Sequence, residues 1–397
     1  MPVPPPILDV FVVWHPDERG GEQVLTGLQQ HFHSSAFSGL AGGAVEVYGR
    51  SAAWDDRGAP RPIDVGTQPA QTEVVVIVEG TELARAVDTE PAWAGYIRSA
   101  LAVRDRGGAV LVLRKADYRG GGGVLHELVD GMQALTGASW TDAAVLGREV
   151  SQAITQHVAG RGQITVFVSH TKTASLLEDS TFDGQPLFAK VRTAIAETHL
   201  GSFFDAQDIQ AGDDWVRVLN EAAAESALLM VRTDRYAGRE WTQREVFEAK
   251  RHDVPIVAML ALRGGEERGS FLMDHVPSVV CDPVNPDAGI AAALNRLVDE
   301  ALKRALWQRQ RVYLEAQGFD WLPVHAPEPV TLGPWLQEHR VTSPDDRHVW
   351  ILHPDPPLGP REREVVTELC AIAGYEDATV DVLTPRTFAN RGGRLPR

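Results

Sequence analysis

ITVFVSH, residues Ile164 to His170, is a run of β-branched and aromatic residues that breaks into polar ones, and the chain beyond it repeats that alternation. An amphipathic stretch follows, with Leu187, Phe188, Val191 and Ile195 on one helical face. Next come FFDAQDIQAGDDW (Phe203 to Trp215), a second helical period and the apolar run ALLMV (Ala227 to Val231). RTDRYAGREWTQREVFEAKR (Arg232 to Arg251) then leads into the buried run PIVAMLAL (Pro255 to Leu262). Short apolar runs alternating with helical periods predict parallel strands covered by helices on both faces, an α/β arrangement of the flavodoxin-like kind. Ligands of such sheets sit outside the carboxyl ends of the strands. VSH, FFDAQD, MVRTD and the loop before Glu245 fall there.

The totals fit a globular α/β protein. At 397 residues the chain has room for two or three domains, with 44% apolar and 23% charged residues. A net charge of −16 argues against a nucleic-acid or anionic-membrane surface, since both need clustered Lys and Arg. Two cysteines, Cys281 and Cys370, give no disulfide framework and fit a reducing cytosol. No apolar run approaches the roughly 20 residues of a membrane span, and MPVPPP at the start is no signal peptide. These features predict a cytoplasmic protein.

One set of residues in residues 163–281 narrows the reading. It comprises Phe167-Val168-Ser169-His170, then Phe204-Asp205 with Asp208-Ile209 and Gly212. Ser226, Tyr236 and the tract Trp241-Thr242-Gln243-Arg244-Glu245 complete it. In order and spacing this set resembles a TIR (Toll/interleukin-1 receptor) domain. Enzymatic TIR domains cleave NAD+ and carry a catalytic glutamate four residues after that tryptophan, which is Glu245 here. Many other TIR domains only bind one another, so the resemblance does not fix the activity.

The resemblance implies NAD+ as a substrate rather than a cofactor, with Glu245 catalytic. Ser169 and His170 end the first strand, where TIR enzymes seat the nucleotide. Asp205 and Asp208 lie in the loop that borders the family's pocket and mediates assembly, although such acids are often only turn formers. Trp215 either lids the site or starts the next helix. Thr233 and Tyr236 could face the ribose, and Tyr236 could equally pack under the loop. Trp241 is a core residue or a substrate contact. His170 has no second His, Cys or carboxylate at ligand spacing, so no metal is expected. In a segment as charged as REVFEAKR, Glu245 reads as a partly exposed helix residue whose replacement leaves stability nearly unchanged.

Two functions follow as expectations. The first is a TIR-type NAD+ nucleosidase, hydrolase or cyclase, in bacterial antiviral or stress defence and active when self-associated. The second is a non-catalytic adaptor acting by TIR–TIR assembly. A nucleotide-sensing module is a third option, carried by the other α/β units.

The flanking chain reads as related pieces. Residues 1–159 carry strands at Asp9–His15, Ala44–Arg50, Glu73–Gly80 and Ala109–Lys115, and Trp93 is followed four residues on by Ile97 rather than a carboxylate. This is expected to be a divergent TIR-like copy without its glutamate, or an unrelated flavodoxin-like domain. The TIR-like domain spans residues 160–318 and ends in a long helix from Gly289. Residues 319–347 read as a Pro-rich connector. Residues 348–397 read as a partial β-α-β unit, whose second strand is expected within Thr379–Phe388. Two strands and one helix cannot bury a core alone, so this unit packs on the preceding domain or the natural chain continues.

Overall fold

Strands that are apolar at every position must be covered on both faces, and the computed structural model places them so. It describes residues 6–37, 45–50, 70–114, 118, 122–136, 141–160, 164–171, 181, 184–203, 226–266, 269–339, 348–375 and 379–395. The chain divides into two units, Met1–Val158 and Ala159–Arg397.

The first unit is built on β1 (Leu8–Val13), β2 (Glu46–Gly49), β3 (Thr72–Glu79), β4 (Ala109–Arg114) and β5 (Gln133–Thr136). All are parallel, in the order β2-β1-β3-β4-β5. Every residue of β1 and β3 is buried. Phe11, Val13, Val75 and Ile77 point to one face, where they pack on α2 (Thr81–Thr89), α3 (Pro91–Leu101) and α4 (Val124–Val129). Trp93 and Ile97, both on α3, are buried in that cluster. Two more helices, α1 (Gly21–Phe32) and α5 (Ala143–Ala159), are joined by a 2.8 Å hydrogen bond between His31 Nε2 and Ser151 Oγ. The fifth strand, Gln133–Thr136, is one more than the four strands expected from the sequence of this unit. QALT is short and lacks the β-branched run that marks the other four.

The second unit repeats the plan. β6 (Thr165–Ser169), β7 (Gly201–Phe203), β8 (Ser226–Arg232), β9 (Ile256–Leu260) and β10 (Ser278–Val280) are parallel, in the order β10-β9-β8-β6-β7. Numbered within its own sheet, each unit therefore has the order 2-1-3-4-5, which is flavodoxin-like. Period-two alternation divides the strand residues between two cores. Val166, Val168, Leu229, Val231 and Met259 meet α6 (Leu187–Ala196) and α8 (Asp287–Glu315) on one face. Phe167, Leu228, Met230 and Ala258 meet Val246 and Ala249 of α7 (Glu240–Arg251) on the other.

The stretch expected as connector is structured over its described residues, 319–339. Residues Pro329–Glu338 form α9, with Pro329 at its first position, where the missing N–H costs nothing. Its cap Glu328 accepts from Lys250 Nζ on α7 at 2.9 Å. Trp321 forms a parallel bridge with Ile351, beside β11 (Val349–Leu352), which pairs with β12 (Val380–Leu383). With α10 (Pro360–Ile372), these pieces bury Trp335, Leu336, Val349, Ile351, Val366 and Cys370. After β12 the chain turns into α11 (Pro385–Asn390), capped by Thr384, where the sequence suggested only a strand.

Burial in this C-terminal part carries a pH dependence. His353 is buried, with Nδ1 2.8 Å from the Pro354 carbonyl, and desolvation pushes its pKa down to about 4. Desolvation likewise pushes His325 down to about 4, against the pull of Glu300. A histidine held neutral in the fold is protonated first in the unfolded chain. Stability is therefore complete above the ordinary value near 6.5 and falls as pH drops from there toward 4, by about 3 kcal/mol for His353. Urea unfolding at pH 7.5 and 4.5 should show this loss, and His353→Gln should flatten the slope. An equal slope in wild type and variant would contradict it. Asp9 in the first unit has the opposite sign, because burial and Glu73 raise it to about 6.

Candidate active site

The strand order 2-1-3-4-5 fixes where a site can form. The connection from the first strand leaves in one direction and that from the third in the other, opening a crevice between their carboxyl ends. In the second unit those strands are β6 and β8, paired so that Ser169 lies opposite Met230. Ser169 ends β6, and Thr233 and Tyr236 follow β8. Helix α7 starts at Glu240 and brings Glu245 in from above β8.

Glu245 is buried, only 3% exposed, which corrects the expectation of a partly exposed helix glutamate. Its helical neighbours explain this. Thr242, Glu245, Val246 and Ala249 share the face turned to the sheet, whereas Glu240, Arg244 and Arg251 are exposed. A buried carboxylate needs donors, and Ser169 Oγ donates to Glu245 Oε2. Ser169 is itself 1% exposed, and its oxygen lies 2.6 Å from the hydroxyl of Tyr236. Tyr236 is fully buried, within the apolar core under α7, so it packs beneath the loop and does not line an open ribose pocket. Burial, then the charge of Glu245, raises its pKa well above the usual value for tyrosine.

Thr233 is buried beside this group, with its hydroxyl 3.4 Å from that of Thr171. Thr171 had no place in the sequence reading, although it follows His170 directly at the strand exit. His170 is half-buried and stacks flat on Phe188 of α6, with ring centroids 4.6 Å apart and planes 5° apart. Trp241 is half-buried and outside the apolar core cluster under α7, unlike its counterpart Trp93 in the first unit. Asp205, Asp208 and Trp215 lie outside the described residues. Of the nine residues singled out, the structure therefore gathers Ser169, Tyr236 and Glu245 into one bonded group, with Thr233 and His170 at the same strand ends.

The loops framing the crevice are tied down by charge. Arg232 forms a two-point ion pair with Glu266, at 2.7 and 2.6 Å. The Asp234 carboxylate accepts from the backbone N–H groups of Arg263, Gly264 and Gly265. Burial pushes Asp234 upward, but these three donors outweigh it and hold its pKa below the ordinary carboxylate value. The start of α7 is fixed by Thr242 Oγ1 donating to the Tyr236 carbonyl at 2.7 Å and Gln243 Nε2 donating to the Ala237 carbonyl at 2.8 Å. The helix carrying Glu245 is thus locked to the loop carrying Tyr236.

The first unit supplies an internal contrast. Phe11 pairs with Val75 as Phe167 pairs with Leu228, so Val13 occupies the place of Ser169. Ile97 stands four residues after Trp93, as Glu245 stands four residues after Trp241. Val13, Trp93 and Ile97 belong to one apolar cluster.

No protein-family model matches this chain, and a search of the curated proteins gives no match. Among the described residues no helix is long and apolar enough to cross a membrane.

Proposed function

We propose that residues 160–318 form a TIR-type NAD+ nucleosidase in which Glu245 is the catalytic carboxylate. The observation that supports this most is a buried glutamate, bonded to Ser169, at the crevice between β6 and β8. Burying a carboxylate is costly, and strand ends at a topological switch are where α/β sheets bind ligands.

The chemistry asks little of the protein. The bond from the ribose C1′ to the nicotinamide nitrogen breaks, and its electron pair returns to the cationic ring, which departs neutral without a general acid. The ribose carbon then carries oxocarbenium charge. A water oxygen, or an adenine nitrogen in cyclisation, takes up that carbon, and a water loses its proton to solvent. One carboxylate about 4 Å from the charge contributes about 4 kcal/mol at an effective dielectric near 20, or about three powers of ten in rate. Seating the anionic diphosphate falls to local donors, because the chain as a whole is acidic.

The reading includes self-association, through the segment holding Asp205, Asp208 and Trp215, in a cytoplasmic defence or stress response. Specific activity should then rise with protein concentration, measured as nicotinamide release across a hundredfold range. Constant specific activity from a monomer would remove assembly from the account. Loss of NAD+ at no concentration, with assembly observed, would favour the adaptor reading. The isolated first unit, residues 1–158, should release no nicotinamide, because Ile97 offers no charge. Turnover by that fragment would contradict the reading of the first unit as non-catalytic.

A further inference from the structure

We infer that Tyr236 and Ser169 form a two-hydroxyl relay that positions Glu245, so that Tyr236 controls the site without touching substrate. This rests on the reading of Glu245 as the catalytic carboxylate. Ser169 has one proton, and it goes to Glu245 Oε2. The contact between Ser169 Oγ and Tyr236 must then be donated by the phenol. The chain has one direction, from Tyr236 through Ser169 to Glu245.

Physical conditions keep that direction. Tyr236 is fully buried, and desolvation together with the charge of Glu245 holds its proton in place at any working pH. Its hydroxyl contacts Ser169 of β6, and the charges that act on it are Glu245 of α7, Arg232 of β8 and Glu266 of the loop after β9. Arg232 and Glu266 neutralise each other through their two-point pair. Donors polarised in series strengthen one another and favour the charged form of the carboxylate at the end. Fixing that carboxylate in one orientation also removes a motion that the transition state would otherwise have to freeze.

In the first unit, built on the same strand order, Val13 at the end of β1 and Ile97 on α3 lie in one apolar cluster, so neither a hydroxyl nor a carboxylate stands at those two positions.

The test uses the full chain with Tyr236→Phe, Ser169→Ala and Ser169→Thr. Tyr236→Phe keeps the ring in the core and removes only the hydroxyl. It should lower kcat for NAD+ about tenfold with KM within about twofold, as expected for loss of an interaction felt mainly in the transition state. The acid limb of its pH profile should move to higher pH. Ser169→Ala should do the same more strongly, and Ser169→Thr should regain most of the rate. A purely structural role would lower stability without moving the pH profile. Wild-type kcat and pH profile in a folded Tyr236→Phe variant would overturn the relay. Carbon-13 NMR titration of the Glu245 carboxyl, assigned with Glu245→Gln, reads the relay without turnover. If the wild type releases no nicotinamide, the nucleosidase reading fails, and the titration still decides. A higher midpoint in Tyr236→Phe supports the relay, and an unchanged one overturns it.

Discussion

Glu245→Gln is expected to lower NAD+ cleavage by about a hundred- to a thousandfold while the protein stays folded. The rate effect follows from removing the carboxylate charge that, on the proposed reading, stabilises the oxocarbenium carbon. Gln keeps the volume and can still accept from Ser169, and it removes the cost of burying a charge. Its stability should therefore lie within about 1 kcal/mol of wild type. Glu245→Ala is different, because the site is 3% exposed. It strips the Ser169 hydroxyl of its acceptor and leaves a cavity, so a loss of about 1–3 kcal/mol is expected on top of the lost rate. Thermal unfolding and initial rates on the same preparations separate the two effects. An Ala variant as stable as wild type would contradict the burial, and a Gln variant with full turnover would contradict the chemistry.

The second large effect is expected at Lys250, five residues beyond Glu245 on α7. Its side chain is 4% exposed, and its ammonium donates to the Asp274 carbonyl and to Glu328, both at 2.9 Å. Glu328 also caps α9, so this one cation ties α7 to the C-terminal part of its unit. Lys250→Met fills most of the space but leaves a nearly buried carboxylate without its partner. Breaking such a pair from one side costs about 3–5 kcal/mol. Replacing both partners, Lys250→Met with Glu328→Gln, should recover a substantial part of that loss. Urea denaturation of the single and double variants measures the coupling. A single variant within about 0.5 kcal/mol of wild type would show that the pair is not the tie between the two pieces.

The parallel sheets were legible in the sequence because strands covered on both faces must be largely apolar. Residues 166–168 and 227–231 are therefore continuous apolar runs. The positions of Ser169 and Thr233 followed, since Ser169 stands where the first run breaks and Thr233 just beyond the break at Arg232. The burial of Glu245 was masked by its charged neighbours in REVFEAKR. The spacing of Thr242, Glu245, Val246 and Ala249 already placed it on the apolar face of its helix. Tyr236 and Ser169 are 67 residues apart, and Lys250 and Glu328 are 78 apart. No local periodicity can report such pairings, which exist only once the strands and helices have packed. β5 escaped because QALT is short and carries no β-branched run. The Pro-rich stretch hid α9 because its prolines suggest connecting chain, although Pro329 sits at a helix start, where proline is tolerated.

The activity proposed for the site around Glu245 is cleavage of the nicotinamide–ribose bond. The most direct measurement is to incubate the purified full chain with NAD+ and resolve the products by chromatography with mass detection. Nicotinamide should appear in equal amount with ADP-ribose or a cyclic isomer of it, with neither product from Glu245→Gln. Unchanged NAD+ at high protein concentration, from an assembled and folded sample, would contradict that activity.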